Sequence, residues 1–185
     1  MGLISIVARE DFISIVTDIG NHQLMGDSVS IKEIIPDTAF IAFTGDEEYA
    51  DMAAAAADTL VKQGFTLIEI AESIQSSFNN GSFTFQECER TIEAVLAGYS
   101  QFGEAQYHII SNTKPMESYY PGQGESLYYA NGHEPMLFLE RSLMMHGMGT
   151  ISQAKAAQTY FLHEASEYIP NVNKQASTFL LKKAN

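Results

Sequence analysis

The chain has 185 residues, enough for one domain to bury a full core, and 45% of them are hydrophobic, an ordinary globular share. Asp and Glu number 23 against 10 Lys and Arg, a net charge of −13, which argues against nucleic acid or an anionic membrane as a partner. The longest apolar run, Met52 to Ala57, is far short of a membrane span, no secretory signal pattern opens the chain, and the one cysteine, Cys88, has no internal disulfide partner, so a reducing cytoplasm is the expected compartment.

Taken in chain order, the first pattern is a hairpin. Ile4, Ile6 and Ala8 alternate with Ser5, Val7 and Arg9 at the two-residue period of a strand. Glu10-Asp11 makes the turn, and Phe12 to Val16 supplies a second β-branched run ending at Asp18. Residues 26–35 follow (Gly-Asp-Ser-Val-Ser-Ile-Lys-Glu-Ile-Ile), then an apolar strand from Thr38 to Thr44 that runs into Gly45-Asp46. A helix is expected from Glu47 to Lys62, with Met52, Ala53, Ala56, Leu60 and Val61 along one stripe, an acidic start and Gly64 as its C-cap. A second helix follows Thr66, with Leu67, Ile70, Ile74 and Phe78 at helical spacing, and is stopped by Asn79-Asn80-Gly81. Strand patterns cover Thr91 to Gly98, Gln106 to Ser111, Glu117 to Tyr120 and Ser126 to Ala130. A helix at 133–146, a long helix from Ile151 to Ile169 and a last strand from Ala176 to Lys183 complete the chain. Strands, two helices, strands, helices and a strand form the order of an α+β fold, two sheets between helical layers in a four-layer αββα sandwich. No repeat or linker divides it, and residues 1–185 read as one domain.

The order of these elements resembles the proteasome-like branch of the N-terminal-nucleophile (Ntn) hydrolases. The resemblance rests on the opening hairpin ending at Asp18, Lys32 before the strand that closes on Gly45, and the helix after it. It extends to Ala94-Val-Leu-Ala-Gly-Tyr-Ser100 with Phe102-Gly-Glu-Ala-Gln-Tyr-His108, and to Ile151-Ser-Gln-Ala-Lys-Ala-Ala157. In that family the N-terminal threonine supplies both the nucleophilic oxygen and, through its amine, the base. Counting back from Asp18 by the family's spacing puts Gly2 in the nucleophile slot, and glycine has no side chain to attack with. The nearest hydroxyl is Ser5, which becomes terminal only if the residues before it are removed.

The resemblance also implies roles for other residues. Asp18 corresponds to the acid that pairs with the catalytic lysine. Lys32, one position out by its distance to Gly45, is the best match to that lysine, which lowers the proton affinity of the amine. The residue-level alternatives are a partly buried structural Asp18–Lys32 pair, or simply two surface charges. Thr44-Gly45-Asp46 matches the turn whose N–H serves as oxyanion donor, or else is a helix-capping turn. Ala130-Asn131-Gly132-His133 and Pro170-Asn171-Val172-Asn173 stand where the family carries its supporting loops, and both depart from its pattern. The five histidines lack metal-ligand spacing, and only His133 lies in a loop of active-site type; no cofactor or metal is expected. Met136, Met144, Met145 and Met148 make segment 136–148 apolar enough for core packing or for a subunit interface. The expected function is a proteasome-like protein without threonine-protease activity, a structural, binding or assembly subunit that forms a homo-oligomer or takes a protein or peptide partner. The alternative is a peptidase or amidase with Ser5 as an exposed N-terminal nucleophile.

Overall fold

A computed structural model describes residues 2–18, 28–45, 47–79, 92–170 and 172–184. The opening hairpin is β1 (Ile4–Arg9) and β2 (Phe12–Asp18), paired antiparallel with Ser5 opposite Val16. It forms the middle of a four-stranded sheet, flanked by β8 (Ser126–Ala130) on β1 and β9 (Ala176–Lys182) on β2. The second sheet has five strands in sequence order: β3 (Ser28–Ile35), β4 (Ala39–Gly45), β5 (Glu93–Tyr99), β6 (Ala105–Ser111) and β7 (Glu117–Tyr119). Every pairing in both sheets is antiparallel. Among the described residues, four helices complete the α+β fold: α1 (Glu47–Lys62), α2 (Leu67–Asn79), α3 (His133–His146) and α4 (Ile151–Tyr168).

Three apolar clusters hold these parts together. Ile4, Ile6, Ile13 and Ile15 of the first sheet meet Phe40, Ala42, Val95 and Tyr107 of the second, so the sheets pack face to face. Ala53, Ile70 and Ile74 of α1 and α2 cover the outer face of the five-stranded sheet on Ile41, Phe43, Leu96 and Ile110. Leu139, Ala157 and Phe161 of α3 and α4 cover the other sheet on Leu3, Val7, Phe12 and Val16. The two-residue period of the hairpin therefore separates one core from another, not core from water, as expected of a sheet covered on both sides. Each fully buried Ile or Phe contributes roughly 1.5–3 kcal/mol.

Local chemistry sets the joints. Gly98 is required where β5 passes β4, because a Cβ there would lie 2.6 Å from the Thr38 carbonyl oxygen. Glu69 reaches back to the Thr66 N–H (2.8 Å) and hydroxyl (2.7 Å), one arm of a capping box at the start of α2. Thr150 caps α4 by accepting from the Gln153 N–H. Helix boundaries fall within a residue of the sequence reading for α1, α2 and α4, while Asn80 and Gly81, expected to stop α2, lie outside the described residues, as does Cys88. The methionine-rich segment divides: Met136 and Met148 pack against the α3–α4 core, and Leu137, Met144 and Met145 are exposed on α3. Among the described residues no helix is long and apolar enough to cross a membrane.

Candidate functional site

The start of β1 is held by side-chain and backbone hydrogen bonds from both neighbouring strands. Because β1 lies between β2 and β8, Asp18, which ends β2, and Asn131, which follows β8, flank its first residues. Asp18 accepts the Leu3 N–H on Oδ1 at 2.6 Å, and its own N–H donates to the Leu3 carbonyl. Asn131 accepts the Ile4 N–H on Oδ1 at 2.6 Å and donates from Nδ2 to the Gly2 carbonyl at 2.8 Å. Its backbone N–H completes the clamp on the Ile4 carbonyl. The second oxygen of Asp18 takes the Asn173 N–H at 3.3 Å, so the loop before β9 closes over the same carboxylate. Asp18 is buried, and that burial pushes its carboxyl up, against the backbone N–H donors that favour the charged form. Gly132, at φ +97°, lets the chain turn from Asn131 directly into α3, a conformation that residues with a Cβ rarely adopt.

The five-stranded sheet closes the same end. Thr44 gives its hydroxyl to the Glu93 carbonyl (3.1 Å) and accepts the Glu93 N–H (3.2 Å), which occupies it in joining β4 to β5. Glu93 in turn accepts the Tyr129 hydroxyl, a bridge from one sheet to the other two residues before Asn131. Burial raises both groups, and the nearby carboxylate adds to the effect on the phenol.

The candidate residues do not assemble as the resemblance implies. Gly2 and Asp18 are brought together, with only backbone at the slot itself. Gly45 ends β4 opposite Ser28, and Asp46 lies outside the described residues. Lys32 does not pair with Asp18: it is half exposed and bonds Asp51 of α1 at 2.9 Å. The reason is strand parity. Val29 and Ile31 face the space between the sheets, so Lys32, one position out, points to the helix side. Ser5 is fully buried under α4, where its hydroxyl donates to the Val16 carbonyl and Gln158 covers it. His133 is exposed in the first turn of α3. Asn171 of the second supporting loop lies outside the described residues. Among the described residues, no group of three or more His, Cys, Asp or Glu side chains is placed to hold a metal ion.

Sequence reading missed three polar groups. Gln158 is buried between α4 and the hairpin, accepting the Ser14 hydroxyl at 2.7 Å and donating to the Ser5 and Ser14 carbonyls at 3.1 and 3.2 Å. The available signal was an amide inside the Ala154, Ala157, Phe161 stripe. Glu93 is the one charge in an otherwise apolar strand. For His108, expected in a strand in a core or surface role, it missed the partners: the ring is fully buried, with Nδ1 on the Ser118 hydroxyl (2.9 Å) and Nε2 on the Gln106 amide oxygen (3.0 Å).

Burial holds the His108 imidazole down to about 4, against 6.5 for a free side chain. The unfolded chain then binds a proton between those values that the folded chain refuses. Stability from the neutral ring is complete above pH 6.5 and is lost as the pH falls toward 4, about 2 kcal/mol of it between pH 7.5 and 5. Asp18 and Glu93, raised by burial, act in the opposite sense. Urea unfolding of wild type and His108→Gln at the two pH values isolates the histidine: wild type is expected to lose about 2 kcal/mol more than the variant. Equal losses would contradict a neutral buried ring.

Comparison with protein-family models and with curated proteins finds no match to this chain.

Proposed function

We propose that this chain is a proteasome-like member of the Ntn-hydrolase fold whose nucleophile position is empty of chemistry, and that it works as a structural or binding subunit, not as a threonine protease. One observation carries the reading: Gly2-Leu3-Ile4 is gripped by Asp18 and Asn131, at the ends of the two strands beside β1 (the last residue of β2 and the first after β8), yet the residue at the slot has no side chain. Such a clamp orients backbone at the end of a two-sheet fold, as an N-terminal nucleophile would require. The groups that make a hydroxyl reactive are not supplied around it. Lys32 is engaged with Asp51, and the Thr44 hydroxyl is engaged with the Glu93 backbone. A positioned base and an oxyanion donor each contribute orders of magnitude to such a reaction. Against the alternative nucleophile stands the burial of Ser5 in mid-sheet, where its release as a terminus would remove Leu3 and Ile4 from two cores.

Incubation of the purified protein with fluorogenic peptides, and separately with a peptide epoxyketone, tests this. The expected result is turnover no faster than buffer and no adduct by mass spectrometry. Turnover that Ser5→Ala abolishes in a folded protein would overturn the reading.

A further inference from the structure

At the end of the five-stranded sheet away from the clamp, the loop between α1 and α2 and the turn between β5 and β6 enclose a cavity of about 420 Å³. That volume lies in the range of small-molecule sites. Its rim carries three large aromatic side chains left in water, Phe65 (43% exposed), Phe102 (78%) and Tyr120 (54%), and Leu67 forms part of the wall. Isolated exposed aromatics are common, but three around one cavity are not explained by the packing of this chain.

The floor carries a polar side chain. Gln106 lines the cavity and is only 6% exposed. Its amide oxygen sits 3.0 Å from His108 Nε2, and an oxygen there only accepts, so Nε2 carries the ring proton. His108 Nδ1 is then the acceptor of the Ser118 hydroxyl at 2.9 Å. The rings of Tyr120 and His108 pack edge to face, with centroids 5.9 Å apart. Two hydrogen bonds and a ring contact therefore hold this group together, with the Gln106 amide oxygen placed toward His108. Its NH2 makes no hydrogen bond to any described residue and is the donor left for the cavity. No Lys, Arg or His is among the described lining residues, and Glu104 is.

We propose that this cavity binds a small, uncharged aromatic molecule bearing a carbonyl oxygen, which accepts from the Gln106 NH2 while its ring lies among Phe65, Phe102 and Tyr120. A carboxylate or phosphate would meet Glu104 with no cation to offset it, in a chain of net charge −13. An ammonium group would find Glu104 as a partner but would leave the Gln106 NH2 without an acceptor. An aromatic hydrocarbon would leave the NH2 desolvated and unpaired.

Titration of ¹⁵N-labelled protein with benzamide, benzoate, benzylamine and toluene, followed by amide shifts, tests the site and its selectivity. Benzamide is expected to shift the Gln106 side-chain NH2 and the backbone of Phe65 and Phe102. Its affinity should be about tenfold that of the other three, and about tenfold lower in Gln106→Leu. Phe102→Ala, a surface change that leaves the fold alone, is expected to weaken benzamide severalfold. If Gln106→Leu fails to fold, Gln106→Met, which removes the donor at similar side-chain length, is expected to lose benzamide equally. Absence of shifts at these residues up to about 10 mM benzamide, a concentration that even a fragment of millimolar affinity would occupy, would overturn the proposal. Benzoate bound as well as benzamide, affinity unchanged in the Gln106 variants, or shifts at the cavity produced by unfolded peptides but not by benzamide would overturn it too.

Discussion

Replacing Gln158 by leucine is expected to cost about 3 kcal/mol of folding stability, a fall of roughly 10 °C in Tm for a domain of this size. Leucine nearly matches the shape of glutamine, so the loss is one of polar partners and not of volume. The Ser14 hydroxyl loses the acceptor it reaches at 2.7 Å, and the Ser5 and Ser14 carbonyls lose the amide donor they share. All of these groups are sealed between the hairpin and α4, where an unpaired polar group bears its full desolvation cost. Adding Ser14→Ala to Gln158→Leu removes the stranded hydroxyl and should restore about 1 kcal/mol. Urea denaturation of the single and double variants reads both effects. A Gln158→Leu protein as stable as wild type would mean that the amide is not the link between α4 and the hairpin.

A loss of similar size is expected from Asn131→Ala, but with a local signature. The side chain is the acceptor for the Ile4 N–H and the donor to the Gly2 carbonyl, both inside a buried clamp. Truncation leaves the N–H unpaired and opens a small gap beside β1, together about 3 kcal/mol. Hydrogen exchange should show Leu3 and Ile4 losing protection well before Ile13 and Ile15 of β2, whose partners in β9 are untouched. Uniform loss of protection along both strands would mean that Asn131 supports the whole sheet and not the start of β1.

The sequence made the hairpin and the helices legible because both kinds of period were strong. Isoleucines at every second residue of β1 and β2, and Leu67, Ile70, Ile74 and Phe78 at helical spacing in α2, each have one structural solution. It was poor at deciding which way polar residues on strands point. Lys32 was read as the partner of Asp18, yet a single-residue offset along a strand moves a side chain to the opposite face, and only packing decides the parity. Ser5 looked like a usable hydroxyl because nothing in a strand pattern tells a water-facing serine from one beneath a helix; Gln158, far along the chain, decides it. Asn131 stood in a segment noted only for departing from a pattern, and its role as a clamp depends on β8 lying beside β1, a pairing between residues far apart in the sequence.

The reading of a clamped strand start without a nucleophile is tested most directly by the N-terminus of the mature protein, purified with no engineered extension and measured by intact mass and N-terminal sequencing. A mature chain that retains Leu3 and Ile4 is expected, because both residues are buried and held by Asp18 and Asn131. A mature chain that begins at Ser5, with its new amine free, would contradict it and put a hydroxyl nucleophile back at the head of β1.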